Sequence, residues 1–295
     1  MRRLLAVIIV LGIVVGGAAA LYFLRPINGP ERDLSLTADV ARGNYVMRLG
    51  GCVACHTDLK NDGATLAGGA PLKTPFGDFV PPNITSDPDA GIGKWSLEEF
   101  SRAMSVGEGP NGKHYYPAFP YDNYTLMSDQ DIVDLYAAMM ATAPIAEKAP
   151  DHNVGFPFNI RLAMLGWKNL FLTPQRFAPN ADKSALWNRG AYLANGPAHC
   201  GACHTPRNML GASDVTQLFK GVRGGTGGAF VPPIDAASLK AEGWDEATLI
   251  DALTGGFTPE FDTLGGTMGE VVNESLTHWT DEDMKALATY LLDAE

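Results

Sequence analysis

The first apolar run, Leu4 to Leu24, holds no charge across 21 positions and follows Arg2 and Arg3. That is about the length of a helix that crosses a bilayer. The basic residues on its N-terminal side predict a cytoplasmic start with the rest of the chain exported. The rival reading is a cleaved signal peptide, with an apolar core from Leu4 to Val15 and a cleavage region among the small residues Gly16 to Ala20. Because the run continues through Leu21, Tyr22, Phe23 and Leu24, the preferred reading is a retained anchor over residues 1–25. Both readings export the body of the chain.

Beyond the anchor the spacing of apolar residues is helical, with strand alternation only in fragments. Helices are predicted over about 37–49, 129–141, 184–195 and 281–293. Ser96 and Asp245 are good N-caps for two further helices. Ser128 and Thr280 each have an acid three residues on, a variant of the capping box. The predicted fold class is all-α.

The pattern is also written twice. Arg42-Gly43-Asn44-Tyr45 precedes Cys52-Val53-Ala54-Cys55-His56, and Arg189-Gly190-Ala191-Tyr192 precedes Cys200-Gly201-Ala202-Cys203-His204. Cys200 follows Cys52 by 148 residues, Val231-Pro232-Pro233 follows Val80-Pro81-Pro82 by 151, Trp244 follows Trp95 by 149, and Thr280 follows Ser128 by 152. Such agreement predicts one duplicated module: two tandem helical domains with long loops, at 36–142 and 184–295, joined by a linker over 143–183. The linker carries Pro144, Pro150, Pro157, Pro174 and Pro179. Within it Ile160 to Phe171 is strongly apolar. It reads as a helix packed between the domains, or else as a face for a partner or the membrane surface.

Composition narrows the function. The 295 residues carry a net charge of −11, which argues against nucleic acid, whose phosphates want a basic face. Apolar residues at 46% supply a core, while 33 glycines and 20 prolines predict long loops between short helices.

The four cysteines carry the chemistry. In each Cys-x-x-Cys-His the two thiols span the two vinyl groups of one porphyrin, and the next histidine is held under the iron, the signature of covalent haem c. A zinc site would need four ligands and would idle one histidine. A redox dithiol would leave both histidines unexplained. Cys52, Cys55, Cys200 and Cys203 are therefore the expected attachment points of two covalently bound haem c groups, and His56 and His204 the expected proximal iron ligands.

Methionine sulfur as a distal ligand suits an electron carrier. Met268 lies twelve residues before Thr280 in the glycine-rich stretch Gly266-Thr267-Met268-Gly269, which is expected to be a loop folding over the haem. In the first module methionine is absent where Phe119 stands. Met127, directly before Ser128, is the nearest candidate, with Met104 and His114 as alternatives. His114 reads otherwise as a surface loop histidine, and His199, next to Cys200, is expected near the haem edge. The aromatic residues from Tyr115 to Tyr124 are expected to pack against the porphyrin.

Over about residues 38–295 the chain resembles the cytochrome c subunits of membrane-bound bacterial dehydrogenases for alcohols and sugar acids. The resemblance rests on Arg-Gly-x-Tyr before each motif, on Asn83-Ile84-Thr85 followed by Gly91-Ile92-Gly93, on Tyr116-Pro117-Ala118-Phe119-Pro120-Tyr121, and on Met268-Gly269-Glu270-Val271-Val272. Such proteins often have three haem domains against the two here, and many carry methionine at the place of Phe119. The resemblance implies electron transfer from a dehydrogenase subunit or a quinol-oxidising complex towards a terminal oxidase. The predicted location is the bacterial inner membrane with periplasmic haem domains, or a soluble periplasmic state if the leader is cleaved. The leading expectation is a carrier without substrate chemistry of its own. The competing one is a di-haem enzyme, a peroxidase or a thiosulfate-oxidising cytochrome.

Overall fold

The protein is described by a computed structural model covering residues 2–225, 228–260 and 262–294. In chain order the helices are α1 (Arg2–Phe23), α2 (Val40–Leu49), α3 (Cys52–His56), α4 (Leu97–Val106), α5 (Tyr121–Tyr124), α6 (Asp129–Met140), α7 (Ala163–Phe171), α8 (Ala185–Asn195), α9 (Gly201–His204), α10 (Ala236–Ala241), α11 (Glu246–Gly255), α12 (Gly266–Glu274) and α13 (Asp281–Leu291). One short antiparallel hairpin, β1 (Leu72–Thr74) with β2 (Gly77–Phe79), interrupts them.

The caps explain the helix starts. Asp39 accepts from the N–H groups of Ala41 and Arg42, so α2 begins about three residues later than its apolar spacing predicts. Ser96 with Glu99 closes a full capping box on α4, and Asp245 with Thr248 does the same on α11.

Each half is organised around one close crossing of its first and last helices. At Gly43, where α2 meets α6, an added Cβ would lie 1.9 Å from the Asp134 carbonyl oxygen and 2.7 Å from the Ala138 Cβ. At Gly190, where α8 meets α13, it would lie 1.9 Å from the Ala286 carbonyl oxygen and 2.7 Å from the Tyr290 Cβ. The glycine of Arg-Gly-x-Tyr is thus the contact point of each crossing, where any side chain would force the helices apart. The arginine beside it ties the same pair. Arg42 Nε donates to Asp134 at 2.8 Å, and Arg189 grips Asp283 with two bonds of 2.7 Å.

Among the described residues the two largest hydrophobic cores result from these crossings. The first is built on Val46, Phe100, Ile132 and Leu135, the second on Leu193, Leu249, Leu287 and Trp279. They are not independent, because Leu49 at the end of α2 is buried in the second core. The tyrosines of the repeated motif are exchanged across this seam. Tyr45 donates to Asp283 at 2.7 Å and accepts the Thr280 N–H at 3.1 Å. Reciprocally, Tyr192 donates to Asp131 and accepts the Ser128 N–H at 3.0 Å. The two halves therefore meet through an approximate two-fold relation. The acids predicted to complete capping boxes on α6 and α13 accept from the tyrosines of the neighbouring half, and Asp283 also accepts from Arg189 of its own.

The apolar segment at 160–171 contains α7, which joins three parts of the chain through three consecutive residues. Trp167 Nε1 donates to the Leu210 carbonyl at 2.8 Å, and Lys168 Nζ to the Gly107 carbonyl at 2.5 Å. Asn169 Nδ2 donates to the carbonyls of Phe23 and Arg25 at 3.2 and 3.1 Å. This is the helix packed between the two halves, and it also holds the end of α1. α1 itself buries none of its residues and is apolar on every side.

Candidate functional site

Each Cys-x-x-Cys-His lies in a single helical turn, and the bend into that turn uses a left-handed residue, Gly51 at φ 58° and His199 at φ 42°. None of the four cysteines is joined in a disulfide. Cys55 and Cys203 reach the surface, while Cys52 and Cys200 pack against the first and second cores.

The histidines are oriented identically. His56 Nδ1 is 2.7 Å from the Pro82 carbonyl, and His204 Nδ1 is 2.8 Å from the Pro232 carbonyl. A carbonyl only accepts, so each Nδ1 carries the proton and each Nε2 keeps its lone pair. This is the second-contact arrangement that fixes the tautomer of an iron-ligating histidine. Burial also lowers both imidazole pKa values, more than the proline carbonyls raise them, which favours the neutral ring. The repeated Val-Pro-Pro triplets thus supply the two orienting carbonyls.

Burial pushes the Cys52 thiol up to about 12 and the Cys200 thiol to about 12, with the second cysteine of each motif adding to the shift. Cys55 rises to about 11, first through desolvation by the surrounding protein, then through Cys203 and Glu270. The thiols are therefore protonated near neutrality. Among the described residues no three His, Cys, Asp or Glu side chains converge on one point. Cys-His turns without disulfides, whose histidines have their Nδ1–H tautomer fixed, fit covalently attached haem.

The influence of Cys203 on Cys55 reflects how the halves meet. The two attachment turns lie along the seam. α12, which carries Met268, packs against α3 of the first half, and Lys60 and Glu270 pair at 3.8 Å. Conversely the ring of His199, before Cys200, lies 5.4 Å from that of Tyr124 in the first half. Burial holds its pKa down to about 4. The residue next to Cys200 is thus wedged between the two turns, a contact set by tertiary structure.

The methionines occupy unlike places. Met127 is buried in the first core near Tyr124 and Val46. Its carbonyl accepts from Arg32 Nη1 at 2.7 Å, and Arg32 also holds Thr125, Ser105 and Asp129. Nothing in the sequence around Arg32 signals this role. Met268 is half-buried against the second core. The predicted glycine-rich loop is there helical: Gly265 and Gly266 form the turn, and Thr267 onward continues as α12. Met104 shares the first core with Met127. His114 is neither at the open surface nor in that core. It stands 3.4 Å from Lys168 Nζ and 4.0 Å from Glu108. Phe119 packs against the first core and against Tyr124, the rings 5.3 Å apart.

Comparison with known proteins agrees with this arrangement. A family model for cytochrome c matches residues 188–295. The chain is 39% identical to a "Diheme cytochrome c-type" protein of Cereibacter sphaeroides over 99% of its own length and 98% of that protein's. It is 38% identical to the cytochrome c subunit of the quinone-type alcohol dehydrogenase of Gluconobacter oxydans, covering 85% of this chain and 54% of that protein. It is 36% identical to the cytochrome c subunit of the gluconate 2-dehydrogenase of Pantoea cypripedii, covering 88% of this chain and 60% of that protein. With its duplicated haem-binding turns and a likeness that runs from end to end, the chain belongs to the di-haem c-type cytochromes and carries two covalently attached haem c groups.

Proposed function

We propose that the protein relays electrons outside the cytoplasmic membrane, from a dehydrogenase or quinol-oxidising partner towards a terminal oxidase. Cys52 and Cys55 hold one haem and Cys200 and Cys203 the other. His56 and His204 are the proximal ligands, Met127 and Met268 the distal ones. Bound haem supplies an iron that alternates between ferric and ferrous states. The protein's own contribution is to fix four ligands, exclude water and set the two groups along one seam. The observation that carries the reading is the repeated Nδ1–H···O=C bond, 2.7 Å at His56 and 2.8 Å at His204, which would leave each Nε2 lone pair available to a haem iron.

Dehydrogenase partners are supported by relatives that are themselves cytochrome subunits of alcohol, gluconate and fructose dehydrogenases. The proposed domains are 36–142 and 184–295 with 143–183 between them. α1 is long and apolar enough to cross a membrane, and we read it as a retained anchor with periplasmic haem domains.

Met127→Ala and Met268→Ala test the ligand set. Each variant should lose one thioether–iron absorption, lower the potential of one haem, and let that haem alone bind carbon monoxide. A variant whose two haems behave as in the parent protein would remove that methionine from the set.

A further inference from the structure

The linker surface beside α1 has a feature that electron transfer does not use. Phe156, Phe158, Ile160, Leu162, Leu170 and Phe171 are all exposed, with Phe156 at 82%. Solvent-facing apolar groups at this density mark an interaction surface. Their backbone is fixed from the inner side. Tyr116 donates to the Phe158 carbonyl at 2.9 Å, Arg161 stacks on the Tyr116 ring at 3.9 Å, and Trp167 and Lys168 are buried beneath. The segment is therefore a built surface.

Its position relative to α1 identifies what covers it. α1 has 22 residues, about 33 Å at 1.5 Å per residue, against a hydrocarbon thickness of about 30 Å. Its C-terminal end therefore emerges at the lipid–water boundary, where Tyr22 and Phe23 suit the interface. Asn169 is locked to that end. Besides its two donated bonds, it accepts from Arg25 Nε at 2.6 Å, and its carbonyl accepts from the Tyr22 hydroxyl at 3.2 Å. Gly166 faces Phe23 one turn earlier, with room for a Cβ at 3.6 Å. With α1 spanning the bilayer, these contacts would hold α7 at headgroup depth. The charge pattern agrees, because residues 152–181 contain no Asp or Glu although the chain has 33. A carboxylate there would face anionic headgroups.

We propose that residues 156–171 lie in the membrane–water interface, presenting this apolar face to lipid beside the end of α1 and fixing the orientation of the haem domains over the bilayer. The inference rests on the reading of α1 as a retained anchor. The rigid path from α1 through Asn169, Lys168 and Trp167 to both halves then makes α7 the piece that sets which face of the protein looks away from the membrane.

Spin labels on single introduced cysteines test it, since the native cysteines of the holoprotein are committed to haem. Full-length holoprotein is placed in phosphatidylethanolamine–phosphatidylglycerol vesicles, with labels at Phe156→Cys, Ile160→Cys, Ile13→Cys within α1, and Val215→Cys as a water-facing control. Val215 is 78% exposed in the second half. Collisions with a water-soluble nickel chelate should be several-fold rarer at 156 and 160 than at 215, and collisions with dioxygen more frequent. If 156 and 160 match 215 while 13 is in lipid, the interfacial surface is refuted and the anchor stands. If 13 is also in water, the anchor reading falls and the inference with it.

Discussion

Tyr45 of the first half donates its hydroxyl to Asp283 of the second at 2.7 Å, 238 residues away along the chain. Its counterpart Tyr192 makes the reciprocal bond to Asp131. Each tyrosine also accepts the free N–H of the cap residue on the other half's last helix. One hydroxyl thus satisfies a backbone donor and a carboxylate together. Two copies of one module are locked by exchanging the same residue.

Removing either hydroxyl leaves a cap N–H and a carboxylate poorly partnered, at a cost of about 1–3 kcal/mol. Asp283 keeps its two bonds to Arg189, so Tyr192→Phe should destabilise more than Tyr45→Phe. Guanidinium unfolding of the holoproteins measures both. Equal, near-zero effects would mean that the exchange is incidental to stability.

The helix crossings predict a harsher result. Gly43→Ala and Gly190→Ala would each drive a methyl group into a backbone carbonyl at 1.9 Å. Neither neighbour is a flexible side-chain end, so helices must separate, costing about 3 kcal/mol or more. Each variant should yield little holoprotein and a clearly lowered melting temperature. A stable Gly43→Ala protein with unchanged spectrum would show that the crossing can relax.

Local signals carry much of the fold. The caps at Ser96, Ser128, Asp245 and Thr280 each start a helix where expected, because a side-chain oxygen over the first turn is a short-range event. The duplicated motifs likewise mark where the thiols and histidines sit. What escapes the sequence is long-range. The tyrosine exchange, Arg32 under the Met127 carbonyl, and His199 wedged against the first half all depend on how the halves dock. The surroundings of Met268 depart from expectation for a local reason. Its glycines suggest a loop, but Gly266, at φ 59°, spends that freedom in the turn that starts α12. His114 reads as a surface residue because nothing nearby announces that Lys168, 54 residues later, is buried beside it.

His152 gives a pH dependence with a definite sign. The Val80 N–H donates to its Nδ1 at 3.0 Å. Burial, then the charges of Arg161 and Lys113, lowers its pKa from 6.5 to about 4. His199 is held down to about 4 as well, chiefly by burial. Between about 4 and 6.5 the unfolded chain binds protons that the folded chain does not, so stability rises with pH across that window and falls as acid is added. His152→Gln should flatten part of this slope in unfolding midpoints measured from pH 7 to 4. An unchanged slope would locate the acid sensitivity elsewhere.

In the proposed function both irons are saturated by protein ligands, and the protein carries electrons between partners. A potentiometric titration of the purified holoprotein, with visible spectra taken in the presence and absence of carbon monoxide, tests it most directly. The expected result is two low-spin haems at high potential, neither of which binds carbon monoxide. One high-spin or carbon monoxide-binding haem, or one at low potential, would contradict it and point to an open site for peroxide or another substrate.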